Sequence, residues 1–300
     1  MYRLFTLLLA LTICLAEAQE IAITLDDAPT RDAVLFTGAE RGAKIIAALK
    51  KQNIKQVAFF VTTSNISPEG KSRLQNYVKA GHLLANHSHS HRWIHEMGVQ
   101  SYCNDIAKAD STLKTFAGYK HWFRFPFLDE GRTKNARDSI RQFLKSLRLS
   151  NGYVTIDDYD WYLNQLLRQA IKEKKRVDYE ALKATYIEHV WNSIQYYDRV
   201  AQNILGRSPK HVLLLHENDL SALFIADLID HIRSKGWKII SPEEAYTDPI
   251  SNEVPDVLFN GQGRVAAIAR SKNVAAKDLV QDAEDEAYLD NLVKARNIFK

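Results

Sequence analysis

Cysteine is almost missing from this chain: Cys14 and Cys103 are the only two in 300 residues. Charge of one sign is missing too, since 40 Lys and Arg stand against 36 Asp and Glu, a net charge of +4. The basic residues are interleaved with acids, as in "KEKKRVDYEALK", which is a solvated face and gives no footprint for a nucleic acid. No candidate strand runs into a G-x-G-x-x-G loop, so a dinucleotide site of that kind is excluded. Internal repeats and low-complexity tracts are absent.

Long hydrophobic runs are scarce as well. The apolar stretch Leu4 to Leu15 is too short to span a bilayer comfortably. With Arg3 before it and Ala16-Glu17-Ala18 after it, residues 1–18 read as a secretory signal peptide cut before Gln19. A lipoprotein signal through Cys14 fits less well, because Ile13 stands where that signal needs a small residue. The mature chain is therefore expected to be secreted or periplasmic. Cys103 would be its one thiol, which rules out an intramolecular disulfide and leaves stability to the core. A hydrophobic content of 46% is enough to build one.

Seven short apolar runs rich in β-branched residues predict strands at 21–26, 56–63, 82–86, 121–125, 153–157, 211–216 and 237–240. Helical periodicity fills the intervals. That alternation predicts an α/β fold with a parallel sheet, closed or nearly closed as a barrel, with an open doubly wound sheet as the alternative. Residues 161–209 break the rhythm and read as a helical insertion between strands five and six. Trp191, Tyr196 and Tyr197 within it offer either a sugar-stacking platform or inward packing, and their helical spacing favours packing. The segment 249–300 reads as an extension of unassigned role, so the barrel is bounded at 19–248.

In such a barrel the chemistry gathers at the carboxyl ends of the strands. Strand one ends in Asp26 and Asp27, strand three runs into His87, strand four ends at Arg124, strand five at Asp157 and strand six at His216. Each alone has an ordinary explanation as a turn residue, a cap, an ion-pair partner or a core histidine. Five ionisable strand ends on one rim point instead to a metal hydrolase. Two imidazoles and a carboxylate, with water completing the shell, make an open site for Zn²⁺ or a similar divalent ion. "NHSHSHRWIH" supplies His87, His89, His91 and His95. Helical spacing allows His87 with His91 or His91 with His95, while extended backbone aligns His87, His89 and His91, so spacing alone leaves the ligands open.

Five stretches, taken in order, resemble the motifs of the polysaccharide deacetylase family, the NodB-homology or carbohydrate esterase family 4 enzymes. "TLDD" (24–27) is similar to T-F-D-D, and "HSHSH" (87–91) to H-[ST]-x-x-H. "RFPF" (124–127) is similar to R-x-P-[YF], "DDYDW" (157–161) to D-x-x-x-W, and "LLH" (214–216) to L-x-H. The resemblance covers residues 21 to about 245 and implies a distorted (β/α)7 barrel of the NodB type. It implies Asp27, His87 and His91 as metal ligands, with His89 and His95 outside the ligand set. Asp26 would be the general base, paired with Arg124. His216 would be the general acid, its ring oriented by Asp157. The Phe127 backbone N–H would serve the oxyanion, and Leu214 and Trp161 the acetyl methyl. Leu25 and Phe127 depart mildly from the family's Phe and common Tyr.

The activity so implied is a secreted, metal-dependent hydrolysis of N-acetyl groups on a glycan such as a chitooligosaccharide or peptidoglycan. Zn²⁺ is the expected cofactor, with Co²⁺, Mn²⁺ or Ni²⁺ as alternatives. Competing expectations are an O-acetyl xylan esterase, another acyl or cyclic-amide hydrolase, and a non-catalytic glycan-binding barrel.

Overall fold

The computed structural model describes residues 18–300, so the expected leader, apart from Ala18, lies outside the described residues. The chain alternates strand and helix through β1 (Glu20–Ala28), α1 (Gly38–Lys51), β2 (Ala58–Val61), α2 (Pro68–Lys79) and β3 (Leu83–Asn86). It continues through α3 (Ile94–Met97), α4 (Val99–Leu113), β4 (Tyr119–Phe123), α5 (Lys134–Ser146) and β5 (Ser150–Asn151). Helices α6 (Asp160–Lys172) and α7 (Tyr179–Leu205) precede β6 (His211–His216), α8 (Asp219–Ser234), β7 (Lys238–Ile239) and α9 (Pro242–Ala245). The C-terminal stretch holds α10 (Gly263–Ser271) and α11 (Glu286–Ala295). Polar side chains set many helix starts. Thr37 and Glu40 form a reciprocal cap on α1, and Thr133, Asp178 and Asn218 each accept from an amide of the first turn that follows.

The strands form a curled parallel sheet in the order β5-β4-β3-β2-β1-β6, with β7 pairing the start of β1. This is the expected distorted seven-stranded α/β barrel. One expected strand differs. Residues 153–157 are not a regular strand: Ser150–Asn151 pair with β4, the chain then crosses, and Ile156 bridges Leu213 of β6. The reason is geometric. This one segment reaches both edges of the sheet, and the Thr155 hydroxyl takes the Val212 N–H that a continuous strand would have bonded through its backbone.

Side chains alternate across the sheet as the pleat requires. Phe59 and Val61 face the helices with Ile45, Leu74 and Tyr77, whereas Ala58, Phe60, Leu83 and Ala85 form a separate small cluster with Trp122 and Tyr246. The two helices of the 161–209 region pack beside α8, and α7 also meets α10. Trp191 packs edge-on to the rings of His231 and Trp237, and Tyr197 is fully buried, so these aromatics pack inward and form no sugar platform. The C-terminal stretch wraps back over the barrel. The Arg264 amide donates to Val154, Asn260 accepts from the Glu130 amide, and Lys300 and Arg176 exchange backbone bonds. Cys103 is buried and free, and among the described residues no helix is long and apolar enough to cross a membrane.

Gly152 marks a close approach within this framework. A Cβ there would lie 2.5 Å from the Phe60 ring, and the Gly152 carbonyl accepts from Arg124 Nε at 2.8 Å. Gly152→Ala is therefore expected to displace Phe60 and cost about 1–3 kcal/mol, the usual penalty for overpacking. Urea unfolding checks this; an unchanged midpoint would mean that the segment yields freely.

Candidate metal centre and active site

Two consecutive residues of a regular strand point to opposite faces, yet Asp26 and Asp27 serve one site. The register of β1 slips between Leu25 and Ala28, and Asp27 takes a left-handed φ of +67°. As a result Asp26 Oδ2 and Asp27 Oδ1 both lie near His87 Nε2, at 3.6 and 3.7 Å. His91 Nε2 is 3.3 Å from Asp27 Oδ1. The ligand atoms of Asp27, His87 and His91 all fall within 4.8 Å of one another, a spacing that suits a single cation.

The donor chemistry fits a divalent metal. His87 Nδ1 sits 3.0 Å from the Arg124 carbonyl, which can only accept, so Nδ1 carries the hydrogen and Nε2 offers its lone pair. Burial, and then the neighbouring His91, hold the His87 pKa well below its ordinary value, keeping it in the neutral form a metal requires. The side chains of Asp27 and His91 are 33% and 25% exposed, so the centre opens to the cleft. His89 instead shares a hydrogen bond with Thr63, and His95 packs on Trp93; both lie outside the cluster.

Backbone strain is concentrated here. Of the ten non-glycine residues with positive φ among the described residues, Asp27, Ser88, His91, Phe127 and Leu128 belong to this rim. The histidine loop is pinned to match: Asn86 Oδ1 accepts from the Ser88 amide, Asp105 Oδ2 from the His89 and Ser90 amides, and Ser88 Oγ from the His91 amide.

Arg124 reaches through the barrel to Asp26, forming an ion pair with Oδ1. It also donates to Thr24 Oγ1 and the Tyr246 hydroxyl, with its guanidinium 3.7 Å from the centre of the Phe60 ring. Burial raises the Asp26 pKa above 3.8, and the Arg124 charge opposes that rise. Phe127, expected to contribute its amide, has φ +57° and stacks on Trp93 with ring centres 3.8 Å apart. Its own N–H has no acceptor among the described residues.

The ring partner of His216 is a correction to the sequence reading. His216 Nδ1 donates to Asp160, 2.6 Å from Oδ1, and not to Asp157. Asp160 opens α6, is fully buried, and with its other oxygen accepts from the His216 amide and Asn218 Nδ2. Asp157 lines the cleft but its carboxyl faces acids; burial, then Glu284 and Asp158, push its pKa well above 3.8. Burial alone would depress the His216 imidazole, but Asp160, helped by Asp27 and Asp26, outweighs it and raises the pKa to about 10. Asp160, Asn86 and Asp105 escaped the sequence reading, though Asp160 sits beside Trp161 in "DDYDW" and Asn86 beside His87.

The cleft over this centre has a volume of about 480 Å³ and includes Trp93, Phe127, Tyr159, Trp161, Leu214 and Gly261 in its walls. Residues 16–148 match the polysaccharide deacetylase family model, a span that contains the first three motifs. A peptidoglycan-N-acetylglucosamine deacetylase of Bacillus cereus is 32% identical over 146 residues, 47% of this chain and 46% of that protein. A bifunctional xylanase/deacetylase of Pseudobutyrivibrio xylanivorans is 30% identical over 114 residues, 38% of this chain and 17% of that one. The chain thus spans about half the length, or less, of these curated relatives.

Among solved structures, the peptidoglycan deacetylase PdaC of Bacillus subtilis, in a mutant form, aligns with a TM-score of 0.52 at 19% identity. That alignment covers 77% of this chain and 93% of the other. A CE4-family pseudoenzyme of Bacillus anthracis aligns at 0.53 and 15%, covering 76% and 66%. Residues 16–148 of the chain thus resemble the polysaccharide deacetylase family, and the wider fold is shared with these solved structures.

Replacing Asp160 by Asn removes the largest of the charges that outweigh burial, so the His216 pKa should fall from about 10. NMR titration of His216 reads this directly; an unmoved pKa would remove Asp160 from the role assigned to it.

Proposed function

We propose that this chain is a metal-dependent hydrolase that removes N-acetyl groups from an N-acetylated amino-sugar glycan. The observation that carries the reading is the pair flanking the ligand cluster. Asp26 and His216 stand beside Asp27, His87 and His91, each with its own buried partner, Arg124 or Asp160, and binding a metal needs neither. A fold relative that is a pseudoenzyme makes the point necessary, because the barrel alone does not confer turnover.

Asp27, His87 and His91 would hold the cation, with Zn²⁺ expected first and Co²⁺, Mn²⁺ or Ni²⁺ as alternatives. Bound there, such an ion supplies Lewis acidity and lowers the pKa of water. Asp26 takes the proton of the attacking water; its raised pKa makes it a stronger base, and Arg124 fixes its direction. The unengaged Phe127 N–H would serve the developing oxyanion. His216, held protonated through Asp160, delivers a proton to the departing amine. That high pKa favours amide over ester cleavage, since an amine leaves far less readily than an alcohol without a proton. Leu214 and Trp161 receive the acetyl methyl, and Trp93, Phe127 and Tyr159 present ring faces to the sugar. The similarity to a peptidoglycan-N-acetylglucosamine deacetylase supports a cell-envelope glycan as the substrate, reached through export by the 1–18 leader.

The test is acetate release from chitooligosaccharides, peptidoglycan fragments and acetylated xylan, with added Zn²⁺ and with chelator. Release should depend on metal. Asp26→Asn should retain metal yet lose turnover by a factor of about 10² or more, as expected for a lost general base, whereas His91→Ala should lose the metal itself. Full activity in Asp26→Asn would overturn these roles.

A further inference from the structure

The cleft does not end at the metal centre. Asp27, Trp161 and His216 also line a second cavity of about 530 Å³, so the two form one groove running past the reacting atoms. The second arm is walled on one side by α6 and on the other by the loop that follows β1. Trp161, Gln165, Arg168 and Lys172 recur every three to four residues along α6 and line this arm as a single stripe. At 1.5 Å per residue, Arg168 and Lys172 lie about 10 and 16 Å beyond Trp161 along the helix axis. Arg31 stands on the facing loop.

The charges in this arm divide sharply into two groups. Its acids are engaged: Asp219 holds Arg41 at 2.9 Å, Glu217 accepts from Arg73, Tyr77 and Thr30, and Asp32 accepts from the Gly38 amide. Asp27 belongs to the ligand cluster. Arg31, Arg168 and Lys172, which all line this arm, make no side-chain hydrogen bond or ion pair among the described residues. The loop bearing Arg31 is fixed in place, because Arg41 Nη1 donates to the Arg31 carbonyl and Thr30 is clamped by Glu217. Three unpartnered cations therefore converge on one arm of the groove with their supports already ordered.

We propose that this arm is an anion-recognising subsite, in which Arg31, Arg168 and Lys172 select a glycan bearing a carboxylate or phosphate near the sugar that is deacetylated. The proposal rests on the deacetylase reading and adds to it the charge of the substrate. Guanidinium groups suit either anion because their planar fork meets two oxygens at once, and Lys172 adds a point charge further out. Trp161, shared by both arms, would set the neutral ring between the acetyl pocket and the cations.

Three tetrasaccharides distinguish the sources of charge. These are chitotetraose, a peptide-free glycan of alternating N-acetylglucosamine and N-acetylmuramic acid bearing free lactyl carboxylates, and a phosphorylated chitotetraose. The wild-type chain should show a higher kcat/KM for one of the anionic oligomers than for chitotetraose, and that ratio should shrink with added salt. In R168Q/K172Q the ratio should fall by about tenfold or more, chiefly through KM, as expected when charged hydrogen bonds are lost. R31Q should lower it in the same direction. A ratio that is near one in the wild type, or that both variants leave unchanged, would overturn the proposal.

If no oligomer releases acetate, the deacetylase reading fails, and calorimetric binding of the same oligomers to the metal-loaded protein tests the subsite separately. Salt-sensitive binding of an anionic oligomer that is lost in R168Q/K172Q would uphold the subsite. Equal binding of all three would refute it.

Discussion

The ion pair between Arg124 and Asp26 is the constraint around which the rim of the candidate site is organised. Both side chains are almost completely buried, and an isolated charge in such a place would cost several kcal/mol. The cost is offset because the guanidinium is satisfied on every side. Thr24 and Asp26 on β1, Gly152 after β5, Tyr246 after α9 and the Phe60 face on β2 all meet it. One arginine following β4 thereby bridges β1, β2, the segment after β5 and the segment after α9 through its side chain. The expected cost of truncating either partner, about 3–5 kcal/mol for a buried pair, exceeds what a single surface contact contributes. The contact that orients Asp26 beside the ligand cluster is the same one that ties these segments together.

That anchoring lets the rim hold strained backbone. Left-handed Asp27, Ser88, His91, Phe127 and Leu128 each cost on the order of 1 kcal/mol or more. They persist because neighbouring side chains overdetermine them: Asn86 and Asp105 hold the histidine loop, and the Trp93 ring lies flat on Phe127. What the strain achieves is convergence. Without the turn at Asp27, adjacent aspartates would face opposite sides of the sheet, and the two carboxylates could not both approach His87.

Much of this was legible in the sequence because strand ends and periodicity are local signals. The β6 strand runs from His211 to His216 as its β-branched and leucine run predicts, and Asp26, Asp27, His87, Asp157 and His216 do line one cleft, with Arg124 buried against Asp26. Failures occurred where long-range geometry decides. Residues 153–157 carry a strand-like composition, yet the sheet needs them to leave one edge and bridge the other. Asp157 and Asp160 are three residues apart, and either suits a histidine partner by chemistry. Only the entry of α6 into the core, together with Glu284 arriving from the C-terminal stretch to face Asp157, assigns the role to Asp160. The basic arm of the groove was equally hidden, since Arg31 and Arg168 are far apart in sequence and each is unremarkable there.

The two flanking pairs also explain how one site would keep together the base and the acid that the proposed reaction needs. Asp26 is buried beside a cation and His216 lies beside a buried anion, so each neighbour favours the charged form of its partner. Their mutual field matters as well: the Asp26 and Asp27 carboxylates raise the His216 pKa, and His216 lowers that of Asp26. A divalent cation beside Asp27 would neutralise part of that carboxylate charge and weaken its support of His216, moving the imidazole back toward the working range of a general acid. Asp160, on the far side of the ring, is not screened in this way. The histidine therefore depends on a partner that the metal cannot take from it, which is a physical reason for the supporting carboxylate to come from α6 and not from the rim.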